Sequence, residues 1–237
     1  MATQNRELLA NVSRLLQPML PEIVFVGGCV AELLVDDAAL SGIRPTCDVD
    51  AIIDVRTQDD YRTFSERMRC LGFMEDHTEG APVCRWRKDA FILDMMPLDA
   101  QILGFSNRWY PPAMQFAQSV ELASDLHIRV ITSPYFCATK LEAFMDRGND
   151  DYQLSSDLED IVVVIDGCND FLDQLAVANE DVRVFIATEA RNLLGMRRFL
   201  DSLPGYFPPD TASQQRIPSF LKKLQQISAL LPLPEEP

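Results

Sequence analysis

The sequence predicts an α+β fold, in which a mixed β-sheet with flanking helices is followed by a helical C-terminal domain. Short apolar runs rich in β-branched residues alternate with helical patterns through the first half of the chain. From Pro134 onward only helical spacing recurs. We therefore place the domain boundary near Thr132, with a first domain over residues 1–132 and a helical domain over residues 133–237.

The composition is typical of a globular protein, with 47% hydrophobic residues in a chain of 237. The longest apolar run, around Ile161 to Ile165, is too short to span a bilayer, and the N-terminus lacks a signal-peptide pattern. The six cysteines form no C-x-x-C pair, which predicts free thiols in a reducing compartment. We expect a cytoplasmic protein without membrane contact.

The net charge of −15 argues against an extended nucleic-acid interface, because such interfaces usually present a basic face. Any nucleic-acid contact should therefore be local. The acidic balance also suits a cationic small acceptor or a basic protein partner. Basic residues cluster at three places: Arg62, Arg67 and Arg69; Arg85, Arg87 and Lys88; and Arg191, Arg197 and Arg198.

The chain opens with a predicted helix and a predicted strand. Asn5 to Met19 carries apolar residues at helical spacing, so we expect a helix that ends before Pro21 and covers the sheet. Ile23 to Val26 predicts the first strand, and Gly27 and Gly28 stop it where the backbone must turn tightly. Helical spacing follows, which places the two glycines at a helix N-terminus, where free N–H groups favour a phosphate.

The second predicted strand carries two aspartates. Asp48 and Asp50 are two residues apart, so their side chains point to the same face. Adjacent carboxylates repel each other unless a cation lies between them, and hard oxygen ligands suit Mg²⁺. Asp54 shares this face but follows the apolar stretch, so we interpret it as a loop or cap residue.

A third carboxylate interrupts a later apolar strand. A helix over Asp59 to Leu71 is followed by two strand patterns, Val83 to Arg87 and Ala90 to Met96, which flank the polar pair Lys88-Asp89 and predict a hairpin. Asp94 alternates with apolar neighbours in the second of these strands. We therefore take it as a candidate for the same cation site.

The remaining patterns predict a second hairpin and a series of helices. The hairpin comprises Ser119 to Leu122 and His127 to Ile131, and we interpret the loop from Gly104 to Pro112 as an ordered turn with packed aromatic residues. The proline-rich tail, residues 232–237, is predicted to fray. The helices are predicted over Tyr135 to Met145, Ser156 to Ile165, Asn169 to Ala178, Val182 to Leu200 and Pro218 to Leu231.

The glycine pair, the Asp48-Val49-Asp50 strand and Asp94 together resemble the nucleotidyltransferases of the DNA polymerase beta superfamily. There the glycine turn holds a triphosphate and three carboxylates bind two metal ions. The resemblance implies that residues 1–132 form a nucleotidyltransferase-type catalytic domain with Mg²⁺ as its cofactor. The implied metal ligands, which are also the implied catalytic carboxylates, are Asp48, Asp50 and Asp94.

The resemblance also implies a nucleotide-binding turn at Gly27, Gly28 and Cys29. The family usually has serine as the second turn residue, whereas this chain has Gly28 followed by Cys29. The turn of this chain therefore lacks the hydroxyl that the family's serine offers to the phosphate.

A later stretch looks like the AbiEii and MenT toxins of the same superfamily. It comprises Ala138 to Phe144, then Arg147-Gly148, then Ser156 to Ile161, and the whole resemblance spans about Glu22 to Gly167. It implies an RNA acceptor such as the tRNA 3′ end and a partner antitoxin protein. The implied nucleotide contacts here are Lys140, which is also an implied catalytic residue, Arg147, Asp157 and Asp160.

The residues alone leave plainer interpretations open. Lys140 lies on a helix with one apolar side, where a lysine often covers apolar surface with its stem. Asp157 and Asp160 are one turn apart behind Ser155 and Ser156, so they could simply complement the dipole of a new helix.

Three functions follow from these patterns. The leading hypothesis is Mg²⁺-dependent transfer of a nucleoside monophosphate from a triphosphate such as ATP to an RNA hydroxyl, by the toxin of a toxin–antitoxin pair. The acidic composition favours a second hypothesis, transfer to a small cationic acceptor, as in antibiotic nucleotidyltransferases. The third is a catalytically inactive module that binds a nucleotide or a protein partner.

Overall fold

A computed structural model of the chain describes residues 3–36 and 43–231, so the tail predicted to fray lies outside the described residues. The chain divides into two compact units. The first comprises Met1–Glu32 and Arg44–Thr132, and the second comprises Leu33–Ile43 and Ser133–Pro237. Within the described ranges, no helix has both the length and the apolar character needed to cross a membrane.

The first unit is built on a seven-stranded mixed sheet in the order β3-β4-β5-β2-β1-β7-β6. The pairs β2–β5 and β1–β7 are parallel, and the other neighbouring pairs are antiparallel. The mixed sheet and the second predicted hairpin are confirmed, and the first hairpin is present with its turn one residue later than predicted. The central strand is β2. The strands are β1 (Ile23–Val26), β2 (Asp48–Ile53), β3 (Met74–Glu75), β4 (Arg85–Lys88), β5 (Phe91–Pro97), β6 (Gln118–Ala123) and β7 (Leu126–Val130).

Helices accompany the sheet in this unit. The predicted first helix is too long, because α1 ends at Leu15 and Gln17–Glu22 forms a 3₁₀ turn. Pro18 and Pro21 explain the change, since proline lacks the N–H donor and its ring clashes with the preceding helical turn. The helices of the first unit are α1 (Gln4–Leu15), α2 (Gln58–Cys70), α3 (Ala100–Leu103) and α4 (Tyr110–Gln115).

The second unit is helical in its described part. The predicted helix over Val182 to Leu200 is in fact two helices, because the chain becomes extended at Met196 after Gly195, a poor helix former. Lys223 caps the end of the second helix of this unit by donating to the carbonyls of Ile165 (2.7 Å) and Cys168 (3.1 Å). The helices are α5 (Ser133–Arg147), α6 (Ser156–Gly167), α7 (Phe171–Val177), α8 (Glu180–Gly195), α9 (Arg197–Tyr206), α10 (Thr211–Gln214) and α11 (Ile217–Ser228).

The thiols follow the sequence-based interpretation, and the aromatic loop follows it in part. The predicted loop from Gly104 to Pro112 is shorter than expected, because α4 begins at Tyr110. Trp109 is buried and its backbone N–H donates to the side chain of Asn107 at 3.0 Å, as expected for an ordered turn, whereas Phe105 is 37% exposed and not packed. All six cysteines are free, and four of them are buried while Cys47 and Cys70 are exposed. The expectation of free thiols is confirmed.

Candidate functional site

The glycine turn and the central strand meet at Gly27. Val26, at the end of β1, pairs with Asp50 of β2. Gly27 has a φ of +69°, which residues with side chains rarely adopt, and a Cβ atom at this position would overlap Oδ2 of Asp50. Position 27 therefore requires glycine for two reasons, the positive φ and the lack of space for a Cβ atom. The backbone of the turn lies directly against the Asp50 carboxylate.

The helix predicted after the glycine turn is a 3₁₀ helix of six residues, Gly28–Leu33. A segment this short has little macrodipole, so the argument that a helix N-terminus attracts phosphate here loses its basis. Cys29 is buried, and its Sγ donates to the carbonyl of Val26 at 3.2 Å. The thiol thus contacts the end of β1, and nucleotide binding by Gly28 and Cys29 stays a prediction.

The three predicted carboxylates lie on one face of two neighbouring strands. Asp50 of β2 is directly opposite Asp94 of β5 in a parallel pair, and Asp48 is opposite Ile92. Both β2 aspartates are half-buried, whereas Val49 between them is fully buried on the other face. Asp94 is 7% exposed. Asp48 and Asp50 therefore share a face of β2, as their spacing predicted. The pairing of β5 with β2 places Asp94 on the same face of the sheet.

Sequence reasoning missed the cation that these carboxylates contact. Arg85 of β4 donates from Nε to Oδ1 of Asp94 (2.8 Å) and from Nη2 to Oδ2 of Asp94 (2.7 Å) and Oδ2 of Asp48 (3.3 Å). The hydrogen bonds that Arg85 donates to Asp94, followed by the charges of Asp94 and Asp48, raise the pKa of Arg85 above its ordinary value. Thr46 donates its hydroxyl to Oδ1 of Asp48 at 2.6 Å.

The hairpin register explains why Arg85 was missed. The predicted turn was Lys88-Asp89, whereas Lys88 pairs with Phe91 and the turn consists of Asp89 and Ala90. Asp89 has a φ of +52°, a conformation that aspartate tolerates better than most residues. The corrected turn places Arg85 opposite Asp94.

The chemistry of the three carboxylates fits the predicted Mg²⁺, since the ion prefers hard oxygen ligands and Asp50 and Asp94 face each other across adjacent strands. The arrangement is not a ready-made metal centre, however. Among residues 3–36 and 43–231, no group of three or more His, Cys, Asp or Glu side chains is placed to hold an ion. Both oxygens of Asp94 accept hydrogen bonds from Arg85 instead.

Cys84 lies next to this cluster and does not supply a nucleophile. Burial, with the charge of Asp94 as the next cause, raises the pKa of its thiol to about 12. The thiol is therefore protonated at neutral pH, and a thiol is a much weaker nucleophile than a thiolate. The chemistry of this face rests on carboxylates and a guanidinium.

The second unit brings together the four other predicted site residues. Lys140 of α5 contacts Asp157 at 3.2 Å and Asp160 at 2.6 Å, the latter outside hydrogen-bond geometry. Arg147 also contacts Asp157 at 3.2 Å. Ser155, one of the two predicted caps, caps α6 by accepting from the N–H of Leu158.

Three of these residues, Lys140, Asp157 and Asp160, form a buried ion cluster, whereas the side chain of Arg147 is exposed. The side chains of Asp157 and Asp160 are 7% and 9% exposed, and that of Lys140 is 14% exposed. Lys140 therefore does not extend its amine into solvent over an apolar surface. Nucleotide contact by Lys140, Arg147, Asp157 and Asp160 stays a prediction.

We expect Gly27→Ala to lower the free energy of unfolding by several kcal/mol and to disturb Asp50, because the new methyl group overlaps the carboxylate. Gly80→Ala is the matched control, since Gly80 has a φ of +82° but no atom lies within 4 Å of its added Cβ. The control should cost only about 1–2 kcal/mol of backbone strain. Equal losses for both variants, measured by urea unfolding, would contradict the close approach.

Comparison with known proteins supports the fold. The sequence matches no protein-family model and no curated protein. Its structure is similar to the crystal structure of an antigenic nucleotidyltransferase-like protein from Paracoccidioides brasiliensis, at 15% sequence identity. The TM-score is 0.51, and the similarity covers 94% of this chain and 93% of that chain. The predicted fold class, a nucleotidyltransferase-type mixed sheet with flanking helices, is therefore confirmed.

Proposed function

We propose that the chain transfers a nucleoside monophosphate from a nucleoside triphosphate such as ATP to an acceptor hydroxyl, with release of pyrophosphate. The observation that carries the proposal is the meeting of Gly27, Asp50 and Asp94 at the centre of the sheet. The turn at Gly27 lies against Asp50, and Asp50 faces Asp94. A triphosphate can therefore bind at the turn backbone, next to a cation held by the carboxylates. The similarity to a nucleotidyltransferase-like fold supports the same function.

The proposed cofactor is Mg²⁺, held by carboxylate oxygens of Asp48, Asp50 and Asp94. When bound, the ion polarises the phosphoryl group and offsets the negative charge that develops on it. The chain contributes the placement of these ligands, because the β2–β5 register sets Asp50 against Asp94 and Thr46 orients Asp48. Asp94 is the proposed acceptor of the proton from the attacking hydroxyl.

The proposed acceptor is RNA, with the tRNA 3′ end as the specific candidate, and the proposed biological role is that of a toxin controlled by an antitoxin. Support comes from the resemblance of the stretch that holds Lys140, Arg147, Asp157 and Asp160. The net charge of −15 favours a second candidate, a small cationic acceptor, because an acidic surface attracts cations and repels phosphates.

The test is a transfer reaction in which the protein is incubated with Mg²⁺, total RNA and each of the four labelled ribonucleoside triphosphates in turn. We expect label on RNA of tRNA size with at least one triphosphate. A parallel reaction replaces RNA by an aminoglycoside, and label on that compound alone would favour the second candidate. Triphosphate binding without transfer to either acceptor would overturn both and leave an inactive binding module.

A further inference from the structure

Arg85 fills the space between two of the proposed cation ligands. Its side chain is 20% exposed, against 35% for Asp48 and 10% for Asp94. Both oxygens of Asp94 accept from it, at 2.8 and 2.7 Å, and one oxygen of Asp48 accepts at 3.3 Å. A partly buried guanidinium that contacts two carboxylates in this way offsets part of their negative charge, as a bound cation would.

The positive charge of Arg85 is permanent, but its contact with the two carboxylates is reversible. Arginine does not lose its proton at any ordinary pH, so pH cannot remove the charge from this site. The guanidinium is carried on a long flexible stem, however, and its Cα lies on β4, beside β5 and not on the strand of Asp48. The side chain can therefore leave the carboxylates without any change in the sheet.

A divalent ion and the guanidinium cannot share these oxygens. Mg²⁺ requires oxygen ligands at about 2.0–2.1 Å in octahedral geometry, and two cations on one carboxylate repel each other strongly in a partly buried site. The fully buried Trp86 holds β4 in place, so the side chain of Arg85 has to move and not its backbone. An ion that binds Asp94 through both oxygens must consequently displace the side chain of Arg85.

We propose that Arg85 is the resident counter-ion of this site, which holds Asp94 and Asp48 in place in the absence of a divalent cation and lowers the site's affinity for that cation by competing for the same oxygens. The proposal rests on the proposed use of these carboxylates as cation ligands. It concerns binding and stability, so it is tested without measuring transfer.

The test is to measure Mn²⁺ binding by calorimetry and thermal unfolding in EDTA for the full chain and for Arg85→Gln. Removing the competitor should raise Mn²⁺ affinity by about tenfold to a hundredfold, the factor that corresponds to the charged hydrogen bonds that the ion no longer has to break. The same variant should unfold at a lower temperature in EDTA, and Mn²⁺ should raise that temperature more than in the parent protein.

Arg87→Gln is the matched control, because Arg87 lies two residues along the same strand on the same face and pairs with Asp76 at 2.6 Å. It removes the same charge and should leave Mn²⁺ affinity unchanged. If Arg85→Gln does not fold, Arg85→Lys replaces it, since a lysine cannot donate to both oxygens with the same fork geometry and should raise the affinity severalfold.

The proposal is overturned if the Arg85 variant binds Mn²⁺ no more tightly than the parent protein, if Arg87→Gln raises the affinity equally, or if neither the parent nor the variant binds the ion. The transfer reaction with labelled triphosphates is a separate measurement. Active transfer together with unchanged Mn²⁺ affinity in Arg85→Gln would refute the counter-ion role while leaving the proposed function standing.

Discussion

Replacing Lys140 by alanine is expected to lower the free energy of unfolding of the helical unit by about 3–5 kcal/mol. The lysine is the cation between Asp157 and Asp160, both of which are almost fully buried. Removing one partner of a buried ion pair leaves an uncompensated charge, and the cost of that charge exceeds the net value of the pair. The measurement is urea unfolding followed by the helical circular dichroism signal.

Arg147→Ala is the matched control for this prediction. Arg147 also contacts Asp157, but its side chain is 71% exposed and Lys140 remains in place to neutralise the carboxylate. An exposed ion pair contributes about 0–1 kcal/mol. We therefore expect a small effect, and a large one would mean that the neutralising charge comes from the arginine.

Lys140→Ala and Arg147→Ala also distinguish a structural role of Lys140 from a role in ligand binding. If Lys140 serves only the triphosphate, Lys140→Ala should weaken nucleotide affinity and leave unfolding unchanged, which would contradict the prediction. A combined variant, Lys140→Ala with Asp160→Asn, removes the buried charge together with its partner and should recover much of the lost stability. Failure to recover would place the cost in packing rather than in charge.

The main features of the fold and of the first-unit site were predictable because they follow from residue periodicity. Alternation along β2 put Asp48 and Asp50 on one face, and the glycine pair marked the turn before it. These are local properties of the chain. The position of Asp94 as a third member came from one acidic residue in an apolar strand, a pattern that buried sheets rarely tolerate without a partner.

What could not be predicted depends on register and on contacts distant in sequence. Arg85 was placed in a basic cluster because its neighbours Arg87 and Lys88 are basic, and a turn shifted by one residue hid its pairing with Asp94. Turn position is set by a single left-handed residue, Asp89, and the sequence offers several candidates for such a position.

The helical unit shows the same limit. Helical spacing predicted α5 and α6, but spacing within one helix cannot reveal that a lysine on one meets two aspartates on the next. The break at Met196 was also missed, because the apolar pattern continues across it while Gly195 weakens the backbone. Patterns therefore locate elements better than they locate the contacts between them.

The second major prediction concerns Asp50→Asn, and Asp54→Asn is its control. This control removes an acidic charge just beyond β2 and leaves the carboxylate cluster intact. Asp54 is 48% exposed and pairs with Arg56 at 2.9 Å. Its loss should change neither nucleotidyl transfer nor the free energy of unfolding by more than a small amount, since exposed ion pairs contribute about 0–1 kcal/mol.

Asp50→Asn, in contrast, is expected to lower the rate of nucleotidyl transfer by about a hundredfold to a thousandfold, the loss typical when one preorganised electrostatic group is removed from a reacting centre. Asn has nearly the same shape as Asp, so the fit against Gly27 should survive and unfolding should change little. The measurement is single-turnover transfer of label at saturating triphosphate, with urea unfolding of the same preparation. Transfer at the parental rate would remove Asp50 from the reaction and, with it, the observation on which the proposed function rests.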